Sequence, residues 1–202
     1  SPQKKGLLGV ENLNRFLQER LNPPGKNKPE YEGSGNIFRL GDKVMQIKND
    51  YQLAWEIPGN FNLPIESGEG VFNGDIGKIT EINAYQKTVT VFFEEKKVVY
   101  SFQDLENLEL AYAITIHKSQ GSEYPAVLLP MYPGPKMLMS RNILYTAITR
   151  AKSCVCLLGQ PKVFLEMLHN EQELKRYSGL AKQLQDIGES FSASFSVEEG
   201  NP

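Results

Sequence analysis

The sequence predicts an α/β domain interrupted by a small β-barrel, and two observations carry that reading. Apolar, non-alternating runs at Leu110–Ile116, Tyr124–Met131 and Cys154–Leu158 alternate with a helical pattern that follows Ser140. Strands of that type are buried on both faces, as in parallel sheets. Between residues 39 and 103, by contrast, short alternating segments are bounded by turn residues, which is how a small all-β module reads.

Val10, Leu13, Phe16, Leu17 and Leu21 recur at helical spacing, so a helix is expected from near Gly9. It must end before Asn22-Pro23-Pro24, because consecutive prolines cannot continue it. Residues 22–36 are rich in Pro, Gly, Lys and Asn and read as a loop or linker. The expected barrel strands lie at Leu40–Ile47, Lys78–Ile82, Thr88–Phe93 and Lys97–Tyr100, with an Asn-Gly turn signal at Asn73-Gly74. Tyr51–Gly70, which holds the only tryptophan, Trp55, reads as a long loop. Ser140 is placed to cap a helix whose apolar face is Ile143, Leu144, Ala147, Ile148 and Ala151. Pro161–Gln185 reads as helical with a break near Tyr177-Ser178-Gly179, and the chain from Gly188 as a frayed tail.

Composition narrows the function classes. The chain has 202 residues with a formal net charge of −2, which disfavours a generally basic nucleic-acid binder but leaves room for a local basic groove. No apolar run approaches the roughly 20 residues needed to span a bilayer, so no membrane role is expected. Cys154 and Cys156 sit in an apolar run and read as buried reduced thiols of a cytosolic protein. With two distant histidines they make no metal pattern. Ser1-Pro2-Gln3-Lys4-Lys5-Gly6 reads like the interior of a longer polypeptide.

No self-sufficient active site is visible. A P-loop needs Gly-x-x-x-x-Gly-Lys-Ser/Thr. The Gly25-Lys26 and Gly77-Lys78 pairs have Arg20 and Phe72 where the first glycine belongs, and Asn27 and Ile79 where the hydroxyl belongs. Two segments are nevertheless rich in chemistry. Thr115-Ile116-His117-Lys118-Ser119-Gln120-Gly121-Ser122-Glu123 follows a predicted buried strand, where α/β sheets bind ligands. In Arg141–Lys152, helical spacing clusters Thr146, Thr149 and Arg150.

Together these segments resemble motifs V and VI of superfamily 1 helicases. Leu110–Thr115 leading into His117-Lys118-Ser119-Gln120-Gly121-Ser122-Glu123 is most similar to the RecD/TraA branch, which includes the exodeoxyribonuclease V alpha subunit. Asn12-Leu13-Asn14, Leu17-Gln18 and Leu21-Asn22-Pro23 resemble the motif IV region of that branch. Gly41–Gln46 and Phe72–Gly77 resemble its inserted SH3-like barrel.

The resemblance implies a RecA-like second motor lobe, residues 1–38 and 104–202, interrupted by an SH3-like barrel at 39–103. It implies an ATP-dependent 5′→3′ DNA helicase whose P-loop lobe, with the Mg it holds, lies elsewhere in the same polypeptide. The isolated piece is then inactive. Arg150 matches the arginine finger that stabilises charge on a transferred phosphoryl group, a role that Lys, without the planar fork, fills poorly. Glu123 matches a nucleotide-ribose contact, and Gln120 and Gly121 lie at the nucleotide phosphates. Thr115, His117 and Ser119 match contacts to the single-stranded DNA backbone, while Tyr145 and Thr149 match supports of motif VI. Small barrels bind single strands through basic and aromatic side chains, so Lys43, Lys48, Tyr51, Lys78 and Tyr85 are candidates to extend the DNA path over the barrel, the alternative being a solvated rim. Single-stranded DNA, the P-loop lobe and exonuclease V subunits are the implied partners, and a bacterial, nucleoid-associated cytoplasm the implied location. The competing readings are a non-enzymatic DNA-binding or adaptor module, and a decayed lobe kept as scaffold.

Overall fold

The computed structural model describes residues 1–171 except 34, 61 and 62, together with 179, 183–185 and 187. The chain divides into two units, Ser1–Glu171 and Gln172–Pro202, and every element below belongs to the first. Most of the second half of the expected 161–185 helix, its break and the tail lie outside the described residues.

Helix α1 (Val10–Leu21) starts after Gly9 and stops at Asn22, before the two prolines, as the sequence demands. Its buried face is different from the expected one. Val10, Asn14 and Gln18 point inward, with Asn22 behind them, while Phe16 and Leu21 are exposed. The amides win because each finds a buried partner: Gln18 Nε2 donates to Asp42 Oδ2 at 2.6 Å and Asn22 Nδ2 to Asp42 Oδ1 at 2.6 Å. A buried amide is tolerable only when satisfied in this way.

The expected linker at 22–36 contains a strand. β1 (Glu30–Gly33) pairs antiparallel with β2 (Asn36–Arg39), and Glu30 Oε2 accepts from Arg39 Nε at 2.9 Å. Tyr31 stacks on Phe102 with centroids 3.8 Å apart, an aromatic anchor that outweighs the polar composition around it.

Seven strands then form one antiparallel sheet. They are β3 (Lys43–Gln46), β4 (Asp50–Pro58), β5 (Pro64–Val71), β6 (Ile76–Asn83), β7 (Thr88–Phe93), β8 (Lys96–Ser101) and β9 (Leu108–Leu110), in the order β5-β4-β8-β7-β6-β3-β9. Among the described residues the sheet has ends at β5 and β9 and does not close into the full circuit of a barrel. Val44, Ile79, Val89, Val91, Val98, Tyr100, Leu105 and Leu108 build its core with Phe38. The supposed loop at 51–70 is mostly the β4–β5 ribbon, with Trp55 opposite Gly68 and Glu56 opposite Ser67. A Cβ on Gly68 would sit 2.5 Å from the Trp55 ring, so the glycine makes room for the indole. Lys96 Nζ covers that ring at 4.3 Å from its centroid.

The expected strand Leu110–Ile116 shrinks to β9, and it joins the antiparallel sheet, not a parallel one: Val44 of β3 pairs with Leu110. Beyond it Ala111 N still reaches Lys43 O of β3, and then Asn14 pairs with Ala113 and Ser1 with Ile114 and Ile116 in place of a strand partner. The parallel element is smaller. β10 (Tyr124–Met131) pairs parallel with β11 (Ala151–Gly159) in a two-stranded sheet. Helices α2 (Arg141–Ile148) and α3 (Pro161–His169) pack against it through Leu144, Ala147, Val163 and Met167, meeting Leu129 and Met131. Ser140 caps α2 as expected, its Oγ accepting from Ile143 N at 3.5 Å, and α2 ends before Ala151, which opens β11. Cys154 and Cys156 are exposed, contrary to expectation, because β11 has only β10 beside it among the described residues.

Candidate nucleotide and nucleic-acid site

Two chemistry-rich segments meet at the start of the parallel sheet. Tyr124 N donates to Arg150 O at 2.8 Å, and Tyr124 pairs with Ala151, so β10 and β11 bring the segment before Tyr124 beside the segment before Ala151.

Residues 115–123 form a tight turn. Thr115 Oγ1 accepts from Lys118 N at 3.3 Å, within a single 3-10 turn, His117–Ser119, that Ile116 opens. His117 is exposed at that turn and Thr115 is half-buried. Ser119 is buried, and its Oγ donates to Ile116 O at 2.6 Å, so its hydroxyl braces the turn from inside. Gln120 and Gly121 follow on the surface, and Gly121 has φ +85, a conformation that L side chains rarely adopt. Glu123 is exposed and pairs with Lys152 Nζ at 3.5 Å.

Arg150 stands just past the end of α2. Its Nε donates to Thr146 O at 3.3 Å, Nη1 to Ser122 O at 3.3 Å and Nη2 to Thr149 Oγ1 at 3.4 Å. The expected cluster of Thr146, Thr149 and Arg150 is therefore real, and it reaches the other segment through Ser122. All three acceptors are neutral and the bonds are long. No carboxylate among the described residues pairs with this half-buried guanidinium. A charged fork held by weak neutral contacts keeps its capacity for an anion. Thr149 also donates to Tyr145 O at 3.0 Å, a support for the end of the helix.

The antiparallel sheet contributes a second charged surface. Lys43 of β3 stands directly opposite Lys78 of β6, Lys78 opposite Phe92 of β7, and Phe92 opposite Lys97 of β8. Directly opposed residues share a face, and like charges in that relation repel. Lys97 is paired with Glu56 at 2.8 Å, whereas Lys43 and Lys78 have no acidic partner among the described residues. Of the other expected barrel contacts, Lys48 is paired with Glu106 at 3.2 Å, Tyr51 packs edge-on against Phe72, and Tyr85 stands exposed on the β6–β7 turn.

Sequence reasoning missed the groups that support the turn. Glu109 accepts from Lys118 Nζ at 2.9 Å and Lys4 Nζ at 2.8 Å. Burial raises the Glu109 carboxyl, but the two lysine hydrogen bonds outweigh it and hold the group below its ordinary value. Asp42, fully buried, accepts from Gln18, Asn22, Arg39 N at 2.7 Å and Tyr112 OH at 2.8 Å. Burial first, and the Asp42 bond second, push the Tyr112 phenol well up, so it stays a neutral donor. The signal was present in the sequence: Asn14, Gln18 and Asn22 recur every four residues.

Comparison with known proteins identifies the family. Residues 13–93 match the family described as ATP-dependent RecD-like DNA helicase SH3 domain, and residues 110–158 match the UvrD-like helicase C-terminal domain. The class is thus a helicase C-terminal region carrying an SH3 domain. The ATP-dependent RecD2 DNA helicase of Deinococcus radiodurans is 36% identical over 75% of this chain and 18% of its own length. The RecBCD enzyme subunit RecD of Buchnera aphidicola subsp. Acyrthosiphon pisum is 30% identical over 81% of this chain and 24% of its own. The chain belongs to the RecD-like helicase family, and it spans less than a quarter of either relative. A solved structure described by the unwinding of forked DNA by two Pif1 helicases matches with a TM-score of 0.48 at 17% identity, covering 91% of this chain and 42% of that one. Among the described residues no helix is long and apolar enough to cross a membrane.

Proposed function

We propose that this chain is the C-terminal motor lobe of an ATP-dependent 5′→3′ DNA helicase or translocase and is inactive without a P-loop lobe from the same longer polypeptide. The 111–171 segment, with its turn, α2, α3 and the parallel pair, is the lobe, and the seven-stranded sheet through β9, with β1 and β2 contributing Tyr31 and Phe38 to its core, is the SH3-like insert. The observation that carries the reading is Arg150: a half-buried guanidinium without an acidic partner among the described residues, joined to the 115–123 turn through Ser122.

ATP bound between the lobes, with Mg held by the P-loop lobe, would supply the phosphoryl group. The donor set suits such an anion, since Arg150 exchanges three neutral acceptors for phosphate oxygens without breaking an ion pair. Gln120 and Gly121 line the nucleotide side, where Gly121 lets the backbone approach closely, and Glu123 receives the ribose after parting from Lys152. Thr115 and His117 meet the DNA backbone. Ser119 serves the same contact by fixing the turn beneath them. Such contacts position a strand without reading its sequence. Lys43 and Lys78, with Phe92 beside them, extend the single-strand path onto the insert, where a phosphate relieves the repulsion between the two lysines.

In the full-length protein, Arg150→Ala is expected to abolish ATP hydrolysis while leaving single-stranded DNA affinity within about twofold, since the finger acts on transition-state charge. Residues 1–202 alone are expected to hydrolyse no ATP. Normal turnover in either experiment defeats the reading.

A further inference from the structure

Helix α1 turns amides inward where its pattern of leucines suggested an apolar face. Phe16 is 58% exposed and Leu21 67%, whereas Asn14 is 5% exposed. Asn14 uses both ends of its side chain on one stretch of backbone. Nδ2 donates to Leu110 O at 2.7 Å and Ala113 O at 3.0 Å, and Oδ1 accepts from Ala113 N at 2.7 Å. That stretch runs from the last residue of β9 into backbone that is neither helix nor strand. Ala111 N still reaches Lys43 O of β3 at 2.7 Å, but past that bond the ladder ends, and buried backbone groups there must be paired in another way. Asn14 stands in for the ladder, two residues before Thr115. One helical turn further along, Gln18 and Asn22 serve the insert instead, through Ile37 O, Leu40 O and Asp42. The stripe therefore divides its duties: its first amide holds the approach to the turn, and the others hold the sheet.

We propose that Asn14 is a positioning residue for the DNA-contacting turn, setting the height and direction at which Thr115 and His117 are presented. This rests on the reading of that turn as a DNA-backbone contact. Asn14 touches no DNA and no nucleotide itself. Its effect passes through the backbone of Leu110–Ala113, and a misplaced turn loses strand affinity without losing the chemistry at Arg150.

The test uses the full-length protein and an oligothymidine single strand. In Asn14→Leu, the DNA concentration for half-maximal ATPase stimulation is expected to rise about tenfold, the order of effect of leaving buried hydrogen-bonding groups unpaired, with kcat at saturating DNA within about twofold. Val89→Ala, in the sheet core that Leu110 also joins, lowers the melting temperature while leaving every Asn14 hydrogen bond in place and is expected to leave half-saturation unchanged. Should Asn14→Leu not fold, Asn14→Asp keeps the acceptor for Ala113 N but sets a carboxylate against two carbonyl oxygens, and the same shift is expected. An unchanged half-saturation, or one that shifts equally in Val89→Ala, overturns the proposal. Amide exchange in residues 1–202 separates its failure from that of the DNA reading. Asn14→Leu is expected to accelerate exchange at Ala113 relative to Val89→Ala whatever the turn binds, and unchanged protection there shows that Asn14 does not hold the stretch.

Discussion

The two sheets of this molecule bury their apolar residues to very different degrees. The seven-stranded antiparallel sheet encloses its own core: Val44, Ile79, Val89 and Val91 are fully buried. The parallel pair β10–β11 leaves Leu128 62% and Leu158 51% exposed, although its sequence is the more apolar. Parallel strands ordinarily have cover on both faces. The sheet built from local hairpins is thus self-sufficient, while the pair bearing the two motifs is uncovered on much of its surface in these residues. The lobe reading gives that difference a meaning, because a motor lobe works against further parts of a longer polypeptide.

The comparison can be broken by substitution. Ile79→Ala removes a fully buried side chain and is expected to cost about 2–5 kcal/mol of stability in denaturant unfolding of residues 1–202. Leu158→Ala on β11 is expected to cost less than about 1 kcal/mol, because half of its side chain is already in water. Equal costs would mean that β11 is covered in solution. Thiol titration of residues 1–202 sharpens the same point. Cys154 and Cys156 are expected to react with Ellman's reagent without denaturant, and slow reaction would indicate a covered strand.

The smallest effect is electrostatic. The Glu109 carboxyl is held below its ordinary value of 4.5 by Lys4 and Lys118, against the opposing effect of burial. A group whose pKa is depressed by folding stabilises above its unfolded pKa, and that stabilisation is lost as pH falls through the folded value. Melting temperature should therefore decline on acidification below about 4.5, and Glu109→Gln should flatten that decline. An identical acid limb in the variant would assign it to other carboxylates.

What was legible in the sequence was local. Gly9 and the prolines after Asn22 bounded α1, Ser140 capped α2, and Thr146, Thr149 and Arg150 clustered as helical spacing implied. What escaped depended on distant partners. Asn14 and Gln18 displaced the leucines from the buried face only because Leu110, Ala113 and Asp42 waited opposite them. The β4–β5 ribbon was hidden by Pro58, Pro64 and its glycines, which break the usual alternation, and the need for a glycine opposite Trp55 appears only once the register is known. Leu110 joined an antiparallel sheet because β3 offered it an edge. Cys154 and Cys156 looked buried because an apolar strand cannot reveal how many neighbours it has.

The central claim is that Arg150 is a phosphoryl-transfer finger, and the most direct measurement is single-turnover ATP hydrolysis by the full-length protein carrying Arg150→Lys, with single-stranded DNA binding followed in parallel. Loss of the planar fork is expected to slow hydrolysis by about 10³-fold or more while DNA affinity holds. Hydrolysis at the unmodified rate, or loss of DNA binding in step with hydrolysis, would contradict it.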